Sequence, residues 1–298
     1  MKQLFIQLNV AIALLLAFSL HCFGADTYTL KYNLETGKTY KQNVVTVTDM
    51  KMNVMGQEMN MNATMEMNVS YEVTGQKNDV FDLKTTYQKI KTSMTSPAPF
   101  VIDSDSPENS SDKSLGDVFK SLTEVPIDIQ LSQTGKVLSV TGIDKLSEKL
   151  NAISNPQFKQ MFSQQFSEKA IKTTFEQMSS YFPDKPVTIG DNWDVTINLN
   201  TNGLDLISKM NLTLKEIKDN IATLDCTGTL ATPEGGSVLQ IQGMDATVTV
   251  KGNQTGTIRL DIKTGWIVGM ELTQTSTQNI EVMGQAMQQQ METKITVV

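Results

Sequence analysis

The chain has 298 residues and a formal charge of −7, with one arginine, one histidine and two cysteines. An acidic chain with so little arginine is a poor match for nucleic acid or for anionic lipid headgroups. Its length allows a sizeable core, in one large domain or two small ones.

The first element is a leader. Lys2 is followed by the apolar run Val10–Leu20, and polar sequence begins near Asp26. This reads as a secretory signal peptide over residues 1–24, cleaved after Gly24 or Ala25. The run is too short to span a bilayer, and no later stretch is long and apolar enough to do so. The expected location is therefore the periplasm or the extracellular space. A lipoprotein anchored at Cys22 is the competing reading, but the bulky His21 stands where a small residue is expected.

Loss of the leader removes His21, Cys22 and the charge of Lys2. What remains has no imidazole and one thiol, Cys226. No disulfide can form within it, and Ser-His-Asp, Cys-His and histidine-ligated zinc sites are excluded. The chain is read as a non-enzyme, with no catalytic residue and no cofactor.

An N-terminal antiparallel β region is expected over 25–142. Its centre is "MKMNVMGQEMNMNATMEMNV", Met50–Val69, with seven methionines in twenty residues. Met50, Met52 and Val54 are even-numbered. Met59, Met61, Ala63, Met65 and Met67 are odd-numbered. Each set alternates with polar residues, the period-2 signature of half-buried strands. A turn at Gly56-Gln57 would put both sets on one face, with Met52 opposite Met61 and Met50 opposite Ala63. Thioether ligands suit Cu(I), and methionine also packs irregular apolar space and lines adaptable binding surfaces. The candidate ligand-lining residues are Met50, Met52, Met59, Met61, Met65 and Met67, and no metal ligand is assigned.

Residues 96–114 are polar and proline-bearing and read as a mobile loop. Their carboxylates, Asp103, Asp105, Glu108 and Asp112, lack the glycine of a calcium loop. A helical segment is expected over 143–185. Ile143, Leu146, Leu150 and Ile153 carry its spacing, Asn155-Pro156 marks a start, Ser167 marks a second cap, and Pro183 and Pro186 mark the end.

A C-terminal antiparallel region follows over 186–298. It ends in "VMGQAM", Val282–Met287, a near copy of Val54–Met59. Other fragment pairs recur without a fixed offset, such as Val73–Leu83 with Leu214–Leu224. The fold class expected is α+β: antiparallel meanders from two similar halves, with the helices packed on an apolar sheet face. A transmembrane barrel would want aromatic girdles, and aromatics are only 6% of the chain.

"LETGKTYKQNV", "VMGQEMNMNATMEM", "PDKPVTIGDNWDV" and "IEVMGQAMQQQMETKITV" together resemble an uncharacterised family of secreted bacterial proteins, a domain of unknown function. That resemblance implies no activity. A more distant likeness is to envelope lipoprotein carriers, whose helix-covered curved sheets hold acyl chains. The leading expectation is a secreted protein binding a lipid or acylated partner on the methionine face. Next comes a structural or protein-interaction module of the envelope with that face as plain core, and third a Cu(I) chaperone.

Overall fold

The computed structural model describes residues 26–54, 57–95, 99–201, 203–241 and 244–298. The stretch read as a signal peptide and Cys22 lie outside them, as does Gly56 of the first "VMGQ". Thirteen strands form one sheet. The first six are β1 (Thr39–Val54), β2 (Gln57–Lys77), β3 (Val80–Met94), β4 (Phe100–Asp103), β5 (Ile127–Ser132) and β6 (Val137–Thr141). The others are β7 (Asn192–Thr201), β8 (Leu204–Lys218), β9 (Ile221–Ala231), β10 (Ser237–Ile241), β11 (Met244–Asp261), β12 (Ile267–Val282) and β13 (Gln285–Val297). The main path runs β6-β5-β3-β2-β1-β13-β12-β11-β9-β8-β7, with β4 beside β3 and β10 beside β11. Every pairing is antiparallel.

The chain thus starts at the sheet centre and steps outward to β6. It crosses to β7, the opposite end of the path, and returns to the centre at β13. Four α-helices lie among the described residues: α1 (Lys113–Leu122), then α2 (Ile143–Leu150), α3 (Pro156–Gln165) and α4 (Glu168–Ser179) in the crossover. Asn155 Oδ1 accepts from the Phe158 N–H at 3.3 Å and Ser167 Oγ from the Ala170 N–H at 3.2 Å, capping the starts of α3 and α4.

This is broadly an α+β protein dominated by antiparallel sheet. The expectation of two similar halves finds no support in the strand order. The two β regions join through β1–β13 into one sheet, in which Val73–Leu83 forms the β2–β3 turn and its look-alike Leu214–Leu224 the β8–β9 turn. Both are tight hairpin turns, with Asn78-Asp79 and Asp219-Asn220 at positive φ.

The stretch read as a mobile loop carries β4, a 3-10 turn at Pro107–Asn109 and the start of α1. Its serines and aspartates occupy backbone donors that a sheet or helix would otherwise satisfy. Ser110 Oγ accepts from the Asp103 N–H, Ser111 Oγ from Val101, Ser104 Oγ from Ile90, and Asp112 Oδ1 from Leu115 at the head of α1.

One sheet face carries the core, in two clusters. Tyr71, Val73, Phe81, Leu83 and Ile129 pack with Phe119, Leu146, Phe162 and Phe166 from the helices. Leu212, Leu214, Leu224, Cys226, Ile258 and Leu260 form the second cluster, on the other wing. The segment before β1 ties the wings together. Leu30 belongs to the second cluster, and Tyr32 and Leu34 to the first. The Tyr28 and Val187 backbones bond each other, the Tyr32 N–H donates to Gln133 O, and the Asn33 N–H donates to Thr264 O.

Candidate functional site

The methionine face is the inner, core-bearing face, because β1 pairs Val44 with Met67 and Tyr40 with Tyr71. Parity therefore assigned the face correctly. The register differs by two residues from the expected one. Met50 faces Met61, Met52 faces Met59, and Val54 faces Gln57, which leaves Met55-Gly56 as the connection. The C-terminal copy shows why. In the β12–β13 hairpin Val282 pairs with Gln285, and Met283 and Gly284 have φ of 50° and 78°. Two consecutive left-handed residues make the tight turn that matches strand twist. The reading at Gly56-Gln57 gave glycine the first central position, whereas the copy gives it the second.

Pairing of β1 with β13 sets the two "VMGQ" hairpins side by side at one end of the sheet. It also places Met291 opposite Met50. Met61, Met50 and Met291 then form a row across three adjacent strands, which the separation of 230 residues and more hides in the sequence. Ser276 and Gly252 continue the same row on β12 and β11.

The six candidate methionines divide into two groups. Met65 and Met67 pack against the helix-covered core, and the Met65 sulfur accepts from Gln165 Nε2 on α3 at 3.3 Å. Met50, Met52 and Met61 are half-buried, and Met59 is 39% exposed. They belong to neither buried cluster. A polar row separates them from the cores: Thr48 and Thr293 hydroxyls lie 3.3 Å apart, Gln274 donates to Gln254 at 3.1 Å, and Gln254, itself 1% exposed, donates to Ser208 at 2.6 Å. Along β2 the apolar side chains Met67, Met65, Ala63, Met61 and Met59 make a continuous strip. It runs from the core to the sheet tip over ~27 Å.

A hollow of about 780 Å³ crosses five strands at the level of Met50. Its lining takes Met50, Met61 and Met291 together with the residues on either side of them, such as Asp49 with Lys51 and Gln290 with Glu292. It takes none of the next inner-face residues, Thr48 or Met52.

The remaining chemistry is structural. Burial pushes the Cys226 thiol up to about 11, so it is a neutral thiol at ordinary pH. Burial raises the Asp103 carboxyl, but hydrogen bonds from Lys91 and the Asp105 N–H outweigh it and hold the group below its usual value. The Lys91–Asp103 pair spans 2.9 Å. Trp266 packs among Tyr32, Tyr40 and Tyr71, and Trp193 Nε1 donates to Tyr181 O, so neither indole is a free platform. Among the described residues no cluster of His, Cys, Asp or Glu has metal-site geometry, and no helix is long and apolar enough to cross a membrane.

No curated protein sequence matches the chain. A structure described as "Lipid-protein interactions in lipovitellin" is similar at 9% identity and a TM-score of 0.48, covering 89% of this chain and 25% of that one. The chain spans about a quarter of the length of that lipovitellin. A Salmonella typhi OmpF complex with daunomycin is similar at 7% identity and a TM-score of 0.28, covering 90% of this chain and 100% of that one. The translocator domain of the autotransporter NalP from Neisseria meningitidis gives 7% identity and a TM-score of 0.22, covering 98% and 97%. The family of unknown function DUF6263 matches residues 78–267, well over half of the chain. The protein belongs to the DUF6263 family.

Proposed function

We propose that this is an exported, non-enzymatic protein that binds the acyl chain of a lipid or acylated partner along the strip from Met67 to Met59. The observation that supports it is the incomplete cover of the inner face. The core clusters of both wings are buried, but Met50, Met52, Met59 and Met61 continue the apolar surface beyond them. Sulfur-bearing unbranched side chains suit a chain of variable shape, because they repack at low cost. Hydrogen-bonded threonines and glutamines beside the strip leave it as the apolar path. The acidic chain disfavours holding an anionic headgroup by charge, so binding energy would come from the burial of methylenes, about 0.8 kcal/mol each.

The test is titration with an environment-sensitive fluorescent fatty acid. The reading expects saturable binding by the leaderless protein. It expects binding to weaken strongly in Met50→Asn with Met61→Asn, at unchanged circular dichroism. Binding that ignores both substitutions would move the ligand elsewhere, and no binding to any acyl probe would favour an interaction module instead.

A further inference from the structure

The row Met61–Met50–Met291 points to a second property, independent of lipid binding. We infer that these three thioethers form a site for a soft monovalent cation, Cu(I) or Ag(I), centred over Met50.

The sequence offers only half of this site. Within the β1–β2 hairpin Met50 has one methionine neighbour, Met61, and the next sulfur along the strand is ~7 Å away. The β1–β13 pairing supplies the missing side. Met50 faces Met61 on one neighbour and Met291 on the other. Directly opposed residues on adjacent strands have Cβ atoms about 4.5–5.5 Å apart. A methionine has three rotatable bonds, so both outer side chains can lean over the central one from a single strand spacing away. Met52 and Met59 form the next opposed pair in the same face and offer further sulfur.

The chemistry of the donor set is selective. Thioethers are soft, uncharged ligands that hold Cu(I) and have little affinity for Zn(II), Ca(II) or Mg(II). No histidine remains after residue 21, so nothing in the row would favour Cu(II). All three residues are half-buried, which keeps the sulfurs reachable while shielding a cation from bulk water. Met65 is outside the set because its sulfur already accepts from Gln165.

The site is tested on the full-length chain after leader removal, with Ag(I) as the redox-inert probe and Cu(I) under anaerobic conditions as the second. Native mass spectrometry should show one retained ion per chain, surviving a competing thioether such as free methionine in excess. Met50→Leu with Met61→Leu and Met291→Leu should abolish retention. Leucine conserves apolar volume, so the melting temperature should stay close to that of the parent. The surface change Met283→Leu should leave retention intact. Retention is read with no fatty acid present and acyl-probe binding with no metal present, on the same parent chain, so the failure of one is distinguishable from the failure of the other. The inference is overturned if the parent chain loses the ion to the competitor, or if the triple leucine variant retains it equally well.

Discussion

Gly135, in the β5–β6 turn, shows how a single residue closes this molecule. Its φ is 84°, and an added Cβ would sit 1.9 Å from Ser179 O at the end of α4. Ser179 and Ser180 hydroxyls both donate to Gly135 O, at 2.6 and 3.0 Å. Gly135→Ala therefore combines left-handed strain with a backbone collision, and it should lower stability by about 1–3 kcal/mol or more, read by urea denaturation. Thr85 presents the opposite case. Among the described residues its Oγ1 is buried without a hydrogen-bond partner. Thr85→Val removes that cost in a strand that favours valine, and should stabilise by roughly 1 kcal/mol in the same assay.

Asp103 sets an acid limit on the β4 region. Its folded-state pKa lies below the unfolded value. The stability it contributes is thus present above the unfolded pKa and is lost as pH falls through the folded one. Asp103→Asn should cost about 1 kcal/mol at pH 7, and the cost should shrink as pH falls through the folded-state pKa, where the parent carboxyl also becomes neutral. A cost that stays constant across that range would remove the ion pair from the account.

At the scale of elements, the hairpins carry the lesson about what the sequence makes legible. Alternation of Met50 and Met52 against Met59–Met67 was enough to place both strands and choose their common face, because side-chain period 2 is a property of the strand alone. The register slipped by one pair because it depends on which residues take positive φ, and glycine fits either central position of the turn. The caps at Asn155 and Ser167 were readable since a cap is local. Helix α1 was missed: its lead-in, Ser104–Asp112, is mostly serine and aspartate with one proline and one asparagine, the same residues that mark loops. The six methionines were read as one set, yet the cover of helix α3 divides them. That division is testable. Met67→Ala, within the helix-covered core, should cost about 2 kcal/mol or more, whereas Met59→Ala at the tip should stay within roughly 0.5 kcal/mol. Equal costs would mean that the strip is covered along its whole length.

At the scale of the molecule, nothing in the local pattern announces that the first and last strands are neighbours. The β1–β13 pairing joins residues more than 230 positions apart and brings Met291 beside Met50. It converts two β regions into one sheet, and the Tyr28–Leu34 segment laces the wings across it. The wings should accordingly unfold together, with fluorescence and circular dichroism giving one coincident transition. The same long-range pairing creates the open methionine surface on which the functional account rests.

That account is tested most directly by native mass spectrometry of the protein purified gently from a bacterial envelope. The account predicts bound mass that extracts into organic solvent, matches a lipid and is absent from Met50→Asn with Met61→Asn. A clean apo mass that stays clean after incubation with lipid vesicles would contradict it.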